Sequence, residues 1–510
     1  MKSELAVKLV DITKTFGSTV ANSKVNLDLK FGEVLALLGE NGSGKTTLVN
    51  MLAGLYYPDS GEVFIKGEKV SIKSPKDSFD LGIGMIHQHF KLIDVFTTAE
   101  NIILTLPETE KYNKKVINER ISEICKKYGF EIDLNKKIYN MSVSEKQTVE
   151  ILKVLVRGSD ILILDEPTAV LTPQEIEKLF KILKTMRDDG KAIIIITHKL
   201  NEVLEVSNRV SILRKGEYID TVITEETTSG ELTEKMVGRK VDLSIKRNRT
   251  KFNKKLLEVT DLSATSEEGY KVLNRINFCL KAGEILGIAG ISGSGQRELC
   301  ECVYGLYKNK RGVVNLYREG KKFNILGMNP EQISKKGFNI GFVPEDRLGM
   351  GLVGDLGIDD NMILKNYKGD KGIFIDYGKS KRISEKVIED LEIKTPGIKT
   401  PVKKLSGGNI QKVLVGREIE SYPEILIVAY PVRGLDINSS YTIYDLLNRE
   451  KERGVGVIFV GEDLDVLMDI SDRLAVMYNG QIMNIVDPRE VTKDDIGLLM
   501  MGKKQEVSNV

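Results

Sequence analysis

The chain has 510 residues, 41% hydrophobic and 29% charged, with a net charge of +2. That length predicts two or more domains of ordinary globular composition, and near-neutrality leaves no global field that would favour nucleic acid as a partner. The longest apolar runs, such as Ala192 to Ile196, fall far short of the roughly 20 residues a membrane span needs, and residues 1–16 hold no signal-peptide core, so the expected location is the cytoplasm.

In chain order, Phe16 is the first residue of interest, spaced to stack on an adenine ring or equally to fill a core position. Val34 to Leu38 reads as a buried strand. It runs into Gly39-Glu40-Asn41-Gly42-Ser43-Gly44-Lys45-Thr46-Thr47, which matches the phosphate-loop pattern G-x-x-x-x-G-K-[ST] and is followed by a helical pattern. In such a loop backbone N–H groups wrap phosphates and the helix offers its positive end. Lys45 would pair the β- and γ-phosphates, and Thr46 would ligate Mg²⁺. Gln88, after the strand-like Ile83 to Ile86, could reach the metal and the attacking water. Ile161 to Leu164 ends in Asp165-Glu166, paired carboxylates at the carboxyl edge of a parallel sheet. There Asp165 would hold the Mg²⁺ shell and Glu166 would polarise water. A further strand, Ala192 to Thr197, leads to His198, placed to hydrogen-bond a γ-phosphate and keep the water and Glu166 in register.

Between Gly238 and Lys255 the residues Arg239, Lys240, Lys246, Arg247, Arg249, Lys251, Lys254 and Lys255 read as a solvated basic linker. Beyond it, 251 positions after the first loop, Gly290-Ile291-Ser292-Gly293-Ser294-Gly295-Gln296-Arg297 repeats the glycines without the lysine or the hydroxyl. Gln296 is neutral and Arg297 cannot ligate Mg²⁺, so this loop is suited to an anion but not to hydrolysis. Ile425 to Pro431 lines up with Ile161 to Pro167 at an offset of 264, and Ser471 to Leu474 lines up with Ser207 to Val210 at the same offset. The chain is a tandem duplication. At that offset Ala429 replaces Asp165, Tyr430 replaces Glu166, and Glu462 replaces His198. The cysteines Cys125, Cys279, Cys300 and Cys302 form no paired C-x-x-C clusters and read as reduced structural thiols.

Leu405-Ser406-Gly407-Gly408-Asn409 resembles the signature of ATP-binding-cassette (ABC) ATPases. With the loop at Gly39, Gln88, Asp165-Glu166 and His198 in that order, the resemblance covers almost the whole chain. It implies an α/β protein of two tandem P-loop domains. Each would have a parallel sheet core, an N-terminal antiparallel β subdomain and a helical signature subdomain. The boundaries expected are 1–240 for the first cassette, 241–255 for the linker, 256–503 for the second cassette and 504–510 for a tail. In this family two cassettes close head to tail, so the resemblance implies that each ATP lies between the loop of one half and the signature of the other. The site built on Lys45 would then borrow Ser406, Gly407 and Gly408 and face Asp436. The site built on Gln296, Arg297, Glu345, Ala429, Tyr430 and Glu462 would borrow Met141-Ser142-Val143-Ser144-Glu145, which has neither glycine.

Met236-Val237-Gly238-Arg239, Val343 to Arg347 and Ile496 to Gly502 resemble ATPases of simple-sugar and nucleoside importers. Leu348 to Val353 and the Leu-Leu-Met-Met-Gly ending lean towards nucleosides over ribose or galactose. The resemblance implies ATP and Mg²⁺ as cofactors, two transmembrane permease subunits and an extracytoplasmic solute-binding lipoprotein as partners, and the cytoplasmic membrane face as location. Pro344 to Arg347 also reads as a turn closed by an internal ion pair. A soluble ABC factor acting on a ribosome or nucleic acid is the alternative class; it would be expected to carry two working sites and a long charged linker.

Overall fold

The computed structural model describes residues 4–88, 90–106, 114–240, 244–245, 247–248, 250, 254–365 and 376–503. The chain divides into two units, Met1–Asp242 and Leu243–Val510.

In the first unit an antiparallel sheet runs in the order Thr19–Lys30, Leu5–Phe16, Ser60–Ile65, Glu68–Val70. The second sheet has six strands in the order Glu217–Ile223, Arg209–Arg214, Glu33–Leu38, Ala192–Ile196, Ile161–Asp165, Ile83–Ile86. All its neighbours are parallel except the edge pair Glu217–Ile223 and Arg209–Arg214. A parallel strand covered on both faces reads as a continuous apolar run, and Glu33–Leu38, Ile161–Asp165 and Ala192–Ile196 are buried along their whole length.

The second unit repeats this plan. Its antiparallel sheet is Lys271–Lys281, Lys255–Thr265, Lys310–Arg318, Lys321–Asn324, and its main sheet is Ile340–Val343, Ile425–Ala429, Gly456–Val460, Ile285–Gly290, Arg473–Tyr478, Gln481–Val486. Successive residues along the main strands alternate between two cores. Leu426, Val428, Val457, Phe459 and Leu474 join one, while Ile425, Ile427, Ile458 and Ala475 join the other. The first core takes Ile410, Val413 and Leu414 of the helix Gly407–Glu420; the second takes Leu299 and Val303 of the helix Gln296–Tyr304. Within this unit the signature helix and the phosphate-loop helix therefore lie on opposite faces of the sheet.

The repeated Ser-Asn/Asp-Arg motif is a structural joint. Asn208 Oδ1 accepts from Val34 N at 2.9 Å and Asp472 Oδ2 from Ile285 N at 2.8 Å. Arg209 pairs with Glu33 and Arg473 with Glu284. In each unit the motif ties the start of the loop-bearing strand to its neighbour.

Of the basic segment, Lys246, Arg249 and Lys251 lie outside the described residues, as do residues 504–510. Of its described basic residues, Arg239, Lys240, Lys254 and Lys255 are exposed, while other parts of the segment are hydrogen-bonded. Arg247 donates to the carbonyls of Asp469 (2.8 Å) and Met468, Thr250 to that of Gly283 (2.6 Å), and Lys255 already begins a strand.

Candidate functional site

The first glycine-rich loop connects Glu33–Leu38 to the helix Lys45–Leu52, whose N-cap Gly44 sits at φ 96°. A side chain there is barred twice, by that φ and by the Ala21 carbonyl, which a Cβ would meet at 2.3 Å. Lys45 is buried, and its Nζ donates to the carbonyls of Gly39 (2.6 Å) and Glu40 (3.0 Å). Burial holds its pKa below the ordinary lysine range against the pull of Glu166, Asp165 and Glu40. The Ser43 hydroxyl is buried without a hydrogen-bond partner, while Asn41, Gly42 and Thr46 are exposed.

Asp165 ends its strand and Glu166 follows at φ 48°, in the left-handed region, with its N–H bonded to the Ile196 carbonyl at 2.9 Å. This turn brings Glu166 Oε1 within 2.8 Å of His198 Nδ1. Desolvation pushes the Glu166 carboxyl up, but His198 and Lys45 outweigh it and leave it below the usual range. Asp165 goes the other way: desolvation first and Glu166 second push it up to about 6, with Lys45 only partly opposing. A buried carboxylate of this kind is a hard oxygen ligand that suits Mg²⁺.

One residue here escaped the sequence reading. Glu202, only 7% exposed, accepts from Thr168 Oγ1 at 2.6 Å and Thr197 Oγ1 at 3.2 Å, and pairs with Lys199 at 3.1 Å. It ties the segment after Glu166 to the segment before His198. The signal was present in the repeat: at the offset of 264 the three become Val432, Gly461 and Val466.

The second loop keeps the backbone and loses the chemistry. Gly293 and Gly295 sit at φ 85° and 100°, against 79° and 96° for Gly42 and Gly44. The Gln296 amide folds back onto the Ile291 carbonyl at 3.0 Å, as Lys45 folds onto that of Glu40. Tyr430 keeps the left-handed turn of Glu166, at φ 49° and with its N–H on the Val460 carbonyl. Glu345 does not close an ion pair inside its own turn. It pairs with Arg433, whose Nε also lies 3.1 Å from Glu462, while Asp346 caps the turn by accepting from Gly349 N at 2.8 Å. Arg347 reaches the carbonyls of Arg433 and Gly407.

The two helix heads at the signature positions differ in charge. Val143–Val156 is capped by Ser142 in a reciprocal box: Ser142 N donates to Glu145 at 2.8 Å, and Glu145 also pairs with Lys136 at 2.7 Å. Its own carboxylate thus satisfies this helix end, beside Val143 and Ser144. Gly407–Glu420 is capped by Ser406, which accepts from Asn409 Nδ2 at 3.0 Å, and its first turn carries no acid. Gly407 and Gly408 leave this end open to an anion. Leu405 is buried beneath it. Asp436 caps the helix Ile437–Glu452, accepting from Ser439 N at 2.8 Å, and stands beside Gly408 in the same unit. Phe16 is 44% exposed, which removes the core reading; its ring makes a T-shaped contact with Tyr56, centroids 5.2 Å apart, and Lys14 Nζ lies over it 5.6 Å from the centroid.

Two doubly wound sheets, each with a phosphate loop at a strand-to-helix turn, define a tandem P-loop nucleotide-binding protein. The ABC transporter family model matches residues 22–169 and 273–431, and the chain belongs to that family, as an ATPase with two tandem ABC domains. It is 42% identical to the nucleoside import ATP-binding protein NupA of Lactococcus lactis subsp. cremoris, over 98% of this chain and 99% of that protein. It is 41% identical to the guanosine import ATP-binding protein NupO of Bacillus subtilis, over 99% and 98% respectively. The ribose import ATP-binding protein RbsA of Clostridium perfringens is 36% identical over 97% and 98%. Among solved structures, a dimeric bacterial ABC transporter cassette is 29% identical with a TM-score of 0.39, covering 43% of this chain and 98% of that one. Among the described residues no helix is long and apolar enough to cross a membrane.

Proposed function

We propose that the chain energises import of a nucleoside through a membrane ABC transporter, hydrolysing ATP at one composite site while the other does not turn over. The observation that carries this reading is how the polar groups sort. Lys45, Asp165, Glu166, His198 and the Glu202 tie belong to the first unit, and the open, acid-free signature end at Ser406 belongs to the second. In the second unit signature helix and loop helix lie on opposite faces of the sheet, which supports head-to-tail pairing. The intact loop would then meet the open signature, and the altered loop would meet the one closed by Glu145.

In this reading Phe16 stacks on adenine, the loop from Gly39 to Thr47 wraps the phosphates, and Thr46, Gln88 and Asp165 hold Mg²⁺, which would neutralise phosphate charge. Glu166 takes the proton of the attacking water. His198 holds Glu166 in place, and Lys45 with the Ser406 helix end stabilises the charge that develops on the transferred phosphoryl group. Asp436 faces the nucleotide from the second unit. Two permease subunits and an extracytoplasmic binding protein complete the assembly at the cytoplasmic membrane face. Nucleosides are favoured over sugars because the relatives named for nucleoside or guanosine import share 41–42% identity, against 35–37% for those named for glucose or ribose import. Transport of radiolabelled guanosine and ribose, by cells carrying or lacking this gene, tests the solute: loss of guanosine uptake is expected, and loss of ribose uptake alone contradicts it.

A further inference from the structure

Three loops leave neighbouring strands at the carboxyl edge of the second unit's main sheet. Glu345 follows Ile340–Val343, Arg433 follows Ile425–Ala429, and Glu462 follows Gly456–Val460. Arg433 joins all three: Nη1 binds Glu345, and Nε lies 3.1 Å from Glu462. A guanidinium suits this task because its donors are fixed in one plane and can hold two acids at once. In the first unit the residue matching Arg433 is Ala169, which has no charge to offer. The loops there are tied instead by Glu202 on Thr168 and Thr197, and those three positions are Val466, Val432 and Gly461 in the second unit. One sheet edge is thus closed by a buried hydrogen-bonded tie and the other by an ionic bridge.

The bridge reaches the signature end by two routes. The turn that carries Glu345 continues into Arg347, which donates to the carbonyls of Arg433 and, at 3.5 Å, of Gly407. Further along that turn Gly351 packs on the signature helix, where a Cβ would meet Leu414 Cδ2 at 2.8 Å. The loop that carries Arg433 runs on to Asp436, which holds Ser439 N at 2.8 Å. A Cβ at Gly408 would meet Ser439 Oγ at 3.2 Å and Asp436 Oδ2 at 3.5 Å. The two loops that meet at Arg433 therefore both touch the first turn of the signature helix, one at Gly407 and the other at Gly408. Without the cation, Glu345 and Glu462 would be left as like charges at one corner, which favours separation of the loops.

We propose that Arg433 is a positioning residue for ATP hydrolysis at the first loop: its bridge to Glu345 and Glu462 fixes the two loops that set the Ser406–Gly408 helix end. It rests on the reading that this helix end serves the Lys45 site, and adds what holds the end in place.

The test is steady-state ATPase kinetics of the full chain. Arg433→Ala lowers kcat about tenfold, the combined scale of two partly exposed ion pairs and the like charges left behind, while the melting temperature stays within a few degrees. Arg433→Lys recovers part of the rate, since an ammonium keeps the charge without the fork. Adding Glu345→Gln and Glu462→Gln to Arg433→Ala costs less than about twofold more, because the bridge is already broken. Arg433→Glu combined with Glu345→Arg, which puts the cation back between two acids, turns over about threefold or more faster than Arg433→Glu alone. A loop that needs only the bulk of an arginine would show neither the coupling nor the rescue. If Arg433→Ala melts far lower, the exchanged pair still decides. An unchanged kcat in Arg433→Ala, additive losses in the triple variant, or no rescue by the exchange each overturns the proposal. Turnover surviving in Lys45→Ala would instead strike the hydrolytic reading of the first loop; an inactive Lys45→Ala beside an unaffected Arg433→Ala strikes the bridge alone.

Discussion

Set side by side, the two units share a backbone and differ in their polar side chains. The loop glycines agree within a few degrees, Glu166 and Tyr430 occupy the same left-handed turn, and Glu33–Arg209 has its twin in Glu284–Arg473. The replaced groups are those the proposed reaction would use: the ammonium of Lys45, the carboxylates of Asp165 and Glu166, the imidazole of His198, and the buried Thr168-Thr197-Glu202 tie. A non-glycine residue at positive φ costs of order 1 kcal/mol, and the second unit retains that cost at Tyr430 after its carboxylate is gone. The turn is therefore part of the scaffold. The sheet, not the chemistry, demands it, because the Tyr430 N–H must reach the Val460 carbonyl.

The comparison breaks most readily at Glu166 and Tyr430. Glu166→Gln should lower steady-state ATP hydrolysis by about 10²–10⁴-fold, the range for a lost general base, whereas Tyr430→Phe should change it by less than about twofold. A coupled phosphate-release assay reads both. Next in size is Glu202→Val, which copies the second unit's residue. Removing the shared acceptor strands two buried hydroxyls at roughly 1–3 kcal/mol each, and kcat should fall about tenfold or more with KM little changed, while Val466→Ala leaves kcat alone.

A pH profile sharpens the same contrast. Burial alone would raise the Glu166 carboxyl, and His198 with Lys45 holds it low. Removing the imidazole therefore raises its pKa, and the acid limb of kcat in His198→Ala should move to higher pH; an unmoved limb would mean another group titrates there. The smallest effect expected is at Arg347, which links the Glu345 turn to the Gly407 carbonyl at the signature end. Loss of one such hydrogen bond, about 1 kcal/mol, should cost kcat several-fold in Arg347→Ala, with Arg347→Lys intermediate.

Much of this was legible before any coordinates. The phosphate loops, the paired carboxylates and the repeat offset are local patterns, because each depends on one strand running into one turn. What stayed hidden depends on side chains meeting across the sheet edge. Arg433 lies 88 residues from Glu345 and Glu202 lies 34 from Thr168, so no periodicity marks either contact. The ion pair expected inside Pro344 to Arg347 failed for the same reason, since the partner of Glu345 arrives from another loop. The contrast between Glu145 and Asn409 was readable in principle as a capping box present in one half and absent in the other.

The central claim, one hydrolytic site in a duplicated chain, is tested most directly by the steady-state ATPase rates of Lys45→Ala and Gln296→Ala in the full chain. Lys45→Ala is expected to abolish turnover and Gln296→Ala to leave most of it; equal loss from both would contradict the account.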